Sequence, residues 1–170
     1  SESGERQLYL CGNSLGLQCK SVENEIQDVL SNWKLKGVEG HFKGKNSWIE
    51  YNNQLKPSFA KIIGTKTSEI AIMNTLTVNL HHLLLSFYKP TKKRYKILIE
   101  QDAFPSDKYV VDSQAKLHGL DPNATIIYAK PKDGNILLEE DDVFNILEAH
   151  GEEIAVVLLG GINYYTGQLL

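Results

Sequence analysis

Apolar residues recur along this chain with two different spacings. Val22, Ile26, Val29, Leu30 and Trp33 fall three or four apart, the period of a helix with one half-buried side. Ser21 stands at its N-cap position and Gly37 at its stop. Leu55, Phe59, Ile62 and Ile63 form a second such stripe, closed by Gly64. Pro57 sits inside it, so this helix either begins near Pro57 or bends there, because the ring removes one backbone N–H. A largely apolar stretch from Val78 to Tyr88 ends at Lys89-Pro90. Two further helical patterns run through Tyr109, Val110 and Leu117 to Gly119, and through Val143, Phe144 and Leu147 to Gly151. The acidic opening of the last, Glu139 to Asp142, suits the positive end of a helix dipole and reads as a solvated helix start.

Shorter apolar runs predict strands: Ile70 to Met73, Tyr95 to Ile99, Ile126 to Tyr128, and Ile154 to Leu159. The last is apolar throughout and reads as a strand buried on both faces. Strands separated by helix-length segments mean βαβ units, an α/β fold with a mostly parallel sheet and flanking helices. A chain that stops just after a buried strand, at Gly167-Gln168-Leu169-Leu170, leaves no helix to cover the next face, so the expectation is a polypeptide cut short.

Ligand sites in open α/β sheets lie at the carboxyl ends of strands. That rule selects four segments, residues 11–16, 74–77, 104–107 and 160–167. Residues 11–16 carry two glycines and an Asn, the composition of a tight loop. Asn74-Thr75-Leu76-Thr77 leads into a helix, whose first N–H groups point outward and attract anions. Thr75 and Thr77 either bond such an anion or cap the helix. Phe104 either stacks on a flat ligand or joins the core, and Ser106 or Asp107 can cap the helix that follows.

Composition narrows the function. With 18 basic against 21 acidic residues interspersed along 170 positions, the net charge is −3, and no basic face for nucleic acid or an anionic membrane is indicated. No apolar run reaches the roughly 20 residues of a membrane helix. The first residues form no signal-peptide core, and Cys11 and Cys19 are too few for a disulfide scaffold, so a cytoplasmic setting is expected. Neither the dinucleotide nor the phosphate-loop glycine signature occurs. None of the five histidines has a Cys or carboxylate partner at metal-ligand spacing, and no metal is expected. His41 lies in a loop-like stretch, His81 and His82 in the apolar helix, and His118 and His150 just before helix-ending glycines.

Several of these segments together carry a resemblance. Leu10-Cys11-Gly12-Asn13-Ser14-Leu15-Gly16-Leu17 resembles the LGNSLGL segment near the N-terminus of kynureninases, with Cys11 in place of its first leucine. Gly40-His41, Met73 to Leu80, Arg94 to Leu98, Ala103-Phe104-Pro105-Ser106-Asp107 and Tyr165-Thr166-Gly167-Gln168 follow in the order found in the animal-type enzymes. The resemblance covers nearly the whole chain. It implies a pyridoxal 5′-phosphate (PLP) enzyme of fold type I, similar to the class V aminotransferases. The implied reaction is hydrolysis of L-kynurenine or 3-hydroxy-L-kynurenine to anthranilate or 3-hydroxyanthranilate and L-alanine, a step of tryptophan catabolism and NAD biosynthesis.

By the same resemblance Leu76 and Thr77 hold the cofactor phosphate. Phe104 stacks on the pyridine ring, with Pro105, Ser106 and Asp107 completing that wall. Gly160 touches the cofactor where the animal enzymes have a serine, and Ser14 and His41 belong to the substrate pocket. Residues 1–64 are expected to form an N-terminal helical segment with substrate-side loops, and residues 65–170 the first part of the PLP-binding large domain. The family's catalytic Schiff-base lysine and its aspartate on the pyridine nitrogen fall beyond Leu170, and neither Lys89 nor Lys96 has the matching context. Activity is therefore expected only of a longer chain, and a homodimer is implied. A non-catalytic binding or regulatory relative and a related PLP lyase or desulfurase are the alternatives.

Overall fold

A computed structural model describes residues 4–170. They fall into two compact units, one ending at Met73 and the other spanning Asn74–Leu170.

In the first unit, α1 (Val22–Lys36) starts and stops as the stripe predicts, with Gly37 at positive φ (52°) just past its end. Ser21 occupies the N-cap position but makes no side-chain cap bond. The stripe itself is exposed: Ile26, Val29, Leu30 and Trp33 keep 41–67% of their surface, and no residue of α1 is buried. The expected half-buried face is thus largely exposed among the described residues of this unit. Pro57 does not bend α2 (Lys56–Ile63). It lies in the first turn, where a missing N–H costs nothing, and Gly64 ends the helix in the left-handed conformation (φ 72°) that a Cβ would resist. Between the two helices the chain makes short 3-10 turns at Gly37–His41, Trp48–Glu50 and Asn52–Gln54, which periodicity did not indicate.

The second unit is an α/β layer structure. Its elements are α3 (Leu76–Phe87), β1 (Lys96–Glu100), α4 (Pro105–Leu117), the short α5 (Pro122–Thr125), β2 (Ile126–Ala129), α6 (Glu140–His150) and β3 (Ile154–Leu158). The three strands are parallel in the order β2-β1-β3, as alternation of strand and helix predicts. The fully covered strand is β1. Ile97, Leu98 and Ile99 retain at most 1% of their surface. The two-residue period sends Ile97 and Ile99 to one face, against Leu84, Tyr88, Val110 and Val111 from α3 and α4. Leu98 points to the other, against Ala129, Leu138 and Ile154, with Val143, Ile146 and Leu147 of α6 packed on them.

Three expectations are corrected here. β3 is not buried on both faces: it is an edge strand in which only Ile154 is buried, and Val157 is 46% exposed. Ile70–Met73 forms no strand, nor do residues 4–10, so among the described residues segments 11–16 and 74–77 follow no strand end. The start of α6 is only partly solvated. Asp142 is buried and accepts the Glu139 backbone N–H at 3.0 Å, closing a capping box.

Outside the core, one ionic cluster ties β1 to the start of β3. Lys96 Nζ lies 2.8 Å from Glu153 Oε2, and His150 Nδ1 lies 3.3 Å from the same oxygen. The Lys96 hydrogen bond, then that of His150, holds the Glu153 carboxyl below its ordinary 4.5. The Glu153 carboxylate in turn raises the Lys96 ammonium above its ordinary 10.5. The depressed acid contributes stability above 4.5 that is lost as pH falls through its folded-state value. The raised ammonium contributes stability below 10.5 that is lost as pH rises through its own. Glu153→Gln is therefore expected to lower the melting temperature slightly at neutral pH, with the gap closing in acid. Thermal melts of both proteins across that range check this. A gap that persists fully in acid would mean the pair contributes nothing.

Candidate functional site

The N-terminus of α3 is built by local backbone chemistry. Asn74 takes a positive φ of 49°, which Asn tolerates better than most residues, and turns the chain into an extended Thr75 (φ −91°, ψ 163°). Thr75 is the cap: its hydroxyl accepts the Val78 N–H at 3.4 Å, and its carbonyl accepts the Asn79 N–H at 2.9 Å. That settles the two readings of these threonines in favour of Thr75 as cap. The N–H groups of Leu76 and Thr77 have no acceptor among the described residues, and the Thr77 hydroxyl makes no hydrogen bond there either. Leu76 is 72% exposed and Thr77 half-buried.

Phe104 stands between β1 and α4 and is half exposed, so it is no core residue. Its ring meets the Tyr164 ring edge-on, with centroids 5.1 Å apart and planes at 81°. Pro105 opens α4 at a position that requires no N–H. Neither Ser106 nor Asp107 caps this helix. Phe104 occupies the N-cap position with no side-chain cap bond, while Ser106 Oγ lies 3.3 Å from Asp107 Oδ1. A cleft of about 380 Å³ beside this wall is lined by Pro105, Lys108, Tyr109, Asp112 and Tyr164.

Gly160 follows β3. Its N–H donates to Glu100 Oε1 at 3.2 Å, and a Cβ there would stand 3.0 Å from the same oxygen. The second residue past the strand is thus small where a buried carboxylate approaches. Glu100 Oε2 accepts from Asn163 Nδ2 at 2.9 Å. Asn163 Oδ1 also accepts the backbone N–H groups of Tyr165 and Thr166, which folds residues 163–167 into a compact turn. Gln168 anchors the turn's far side, exchanging two hydrogen bonds with the Leu138 backbone at 2.6 and 3.1 Å. Sequence reasoning did not mark Glu100, and it reached Asn163 only as part of segment 160–167. The available signal was a charged residue closing the otherwise apolar run Ile97-Leu98-Ile99.

In the first unit, Ser14 is exposed on a turn whose Ser14 and Leu15 N–H groups share the Cys11 carbonyl. Neither Gly12 nor Gly16 needs a positive φ there. His41 ends a 3-10 turn and meets the Trp48 ring edge-on at 5.1 Å. Gly40 makes that contact possible, since a Cβ on it would lie 2.8 Å from the indole. Of the remaining histidines, His81 is partly buried and bonded to Gln114 at 3.2 Å, His118 stands edge-on to Tyr88, and His150 pairs with Glu153. Among the described residues no group of His, Cys, Asp and Glu can hold a metal, and both cysteines are free. No described helix is long and apolar enough to cross a membrane.

Known proteins give this geometry a context. The chain is 47% identical over 166 residues to a kynureninase of Flavobacterium psychrophilum, covering 98% of this chain and 39% of that protein. It is similar to one of Dictyostelium discoideum at 47% (95% of this chain, 36% of the relative) and to one of Mus musculus at 46% (95% and 35%). The similarity is to kynureninases. Bacterial, amoebal and mammalian relatives match equally well, and the chain corresponds to their N-terminal part. It spans about two fifths of the length of the relatives it matches. No protein-family model matches. The parallel sheet with helices on its faces fits the first part of the α/β fold that the resemblance implies.

Proposed function

We propose that this chain is the N-terminal part of a PLP-dependent kynureninase. In this reading the whole protein uses water to cleave L-kynurenine, or its 3-hydroxy form, into anthranilate or 3-hydroxyanthranilate and L-alanine. The observation that carries it is 44–47% identity, over nearly all of the chain, to proteins that share this one name. Homodimeric assembly in the cytoplasm belongs to the same reading.

The residues present fit the cofactor. A phosphate dianion needs several N–H or O–H donors and favours the positive end of a helix. The turn opening α3 offers two N–H groups without acceptors and the unbonded Thr77 hydroxyl. Leu76 and Thr77 would hold the phosphate by these groups. The half-exposed Phe104 ring would lie against the flat pyridine, with Pro105, Ser106 and Asp107 continuing that surface. Gly160 would add a wall without a side chain, its own N–H being taken by Glu100. When bound, PLP supplies an electron sink for the pair left as the substrate's bonds break.

On the substrate side, Ser14 offers an exposed hydroxyl and His41 an exposed imidazole that meets the Trp48 ring edge-on. Either an aryl ring or an aniline N–H of kynurenine suits that imidazole, by stacking or by a hydrogen bond. These residues bind and orient; the proton transfers belong to residues of the longer protein.

The test uses the complete protein. Incubation with PLP is expected to give a visible absorbance band that survives desalting, and L-kynurenine is then expected to yield anthranilate fluorescence. Absence of both would overturn the reading. Thr77→Ala is expected to weaken cofactor retention about tenfold, the lower end of the roughly 1.5–3 kcal/mol of a hydrogen bond to a charged group. Dialysis against PLP measures it, and unchanged retention would remove Thr77 from the phosphate site.

A further inference from the structure

Glu100 is a buried carboxylate that the functions above leave unused. It ends the central strand with 8% of its surface exposed, and no described lysine, arginine or histidine pairs with it. Burying a charge without a counter-charge is costly, and an apolar residue would be the cheaper way to end such a strand. What the carboxylate does instead is accept two hydrogen bonds from one turn, the Gly160 N–H at 3.2 Å and the Asn163 side-chain amide at 2.9 Å. The next residue after Asn163 is Tyr164, whose ring stands edge-on against Phe104 at 5.1 Å. A continuous set of contacts thus runs from the end of β1, through Asn163 and Tyr164, to the ring of Phe104.

We propose that Glu100 is a positioning residue: its carboxylate holds the Gly160–Asn163 turn, and through Tyr164 fixes the plane of Phe104 for the flat ring that Phe104 receives. This rests on the reading of Phe104 as the cofactor's stacking partner. Both Glu100 oxygens face N–H donors, so the chemistry at this point demands two acceptors. A glutamine supplies only one. An aspartate at 163 would set a second carboxylate against the first. Together, however, the two changes reverse the bond: the new amide at 100 donates to the new carboxylate at 163, keeps its oxygen for the Gly160 N–H, and leaves the turn's other acceptor in place.

The experiment measures PLP dissociation constants by equilibrium dialysis, and melting temperatures, for the complete protein carrying Glu100→Gln, Asn163→Asp, both together, and Tyr164→Leu. Each single change is expected to weaken PLP binding about tenfold, with the reciprocal pair returning to within about twofold of wild type, as coupled neighbours do in a double-mutant cycle. Glu100→Gln added to Tyr164→Leu is expected to cost little more than Tyr164→Leu alone. Near-ultraviolet circular dichroism of the cofactor-free protein supplies a separate readout of the Phe104–Tyr164 pair, expected to change in the singles and recover in the pair. Singles that bind PLP like wild type, or a reciprocal pair no better than its parts, would overturn the role of Glu100 while leaving the cofactor site standing. A change in melting temperature alone would reduce Glu100 to a structural residue. Wild-type protein that binds no PLP would overturn the cofactor reading itself, and this role with it.

Discussion

Leu76→Pro is expected to leave α3 folded and to lower PLP affinity by about ten- to a hundredfold, the value of one hydrogen bond to a charged group. The reason lies in the backbone. Leu76 is the first helical residue, preceded by an extended Thr75 (φ −91°, ψ 163°), which is the setting a proline ring prefers on both sides. Its side chain is 72% exposed, so little packing is lost. Only the N–H disappears, and that N–H bonds nothing else among the described residues. Helix content by far-ultraviolet circular dichroism and PLP binding by dialysis, both on the complete protein, separate the two effects. Retained helix with unchanged affinity would show that the phosphate lies elsewhere. Combined with Thr77→Ala, the loss is expected to exceed that of either change, since two donors would have left the same anion.

Leu98→Ala is expected to destabilise the second unit by about 2–5 kcal/mol, through lost burial and the cavity left behind. Leu98 is fully buried at the centre of the middle strand, and residues from β2, β3 and α6 close around it. None of these can collapse into the gap without breaking register with β1. By contrast, Ile62→Ala on α2, at 81% exposure, is expected to change stability by less than about 0.5 kcal/mol in the same chain. Denaturant unfolding of the complete protein measures both. Equal effects at the two positions would mean that the sheet is not organised around β1.

Period and punctuation located most elements. α1, the end of α2 at Gly64, the apolar α3 and all three sheet strands lie where stripes, runs and helix-ending glycines place them. The resemblance to kynureninases, carried by ordered motifs, agrees with the relatives found. The errors have a common cause. An apolar run states that a segment prefers to leave water and says nothing of which neighbour covers it. Ile154 to Leu159 reads as doubly buried, yet β3 is an edge; Ile70 to Met73 reads as a strand, yet no strand pairs with it. The short 3-10 turns and the four-residue α5 escaped because they complete too few turns to show a period.

The sequence by itself determined the local facts: where helices start and stop, that the sheet is parallel, that Thr75 to Thr77 open a helix with donors to spare, and that Pro57 and Gly64 frame α2. Such facts depend on residues a few positions apart, which the order of amino acids states directly. Only the tertiary structure decided that β1 takes the centre, that α1's stripe is largely exposed within its unit, and that Glu100 meets Gly160 and Asn163 some sixty positions later. Those outcomes depend on which surfaces meet once strands have paired, and hydrogen bonds between distant residues leave no spacing in the chain to read.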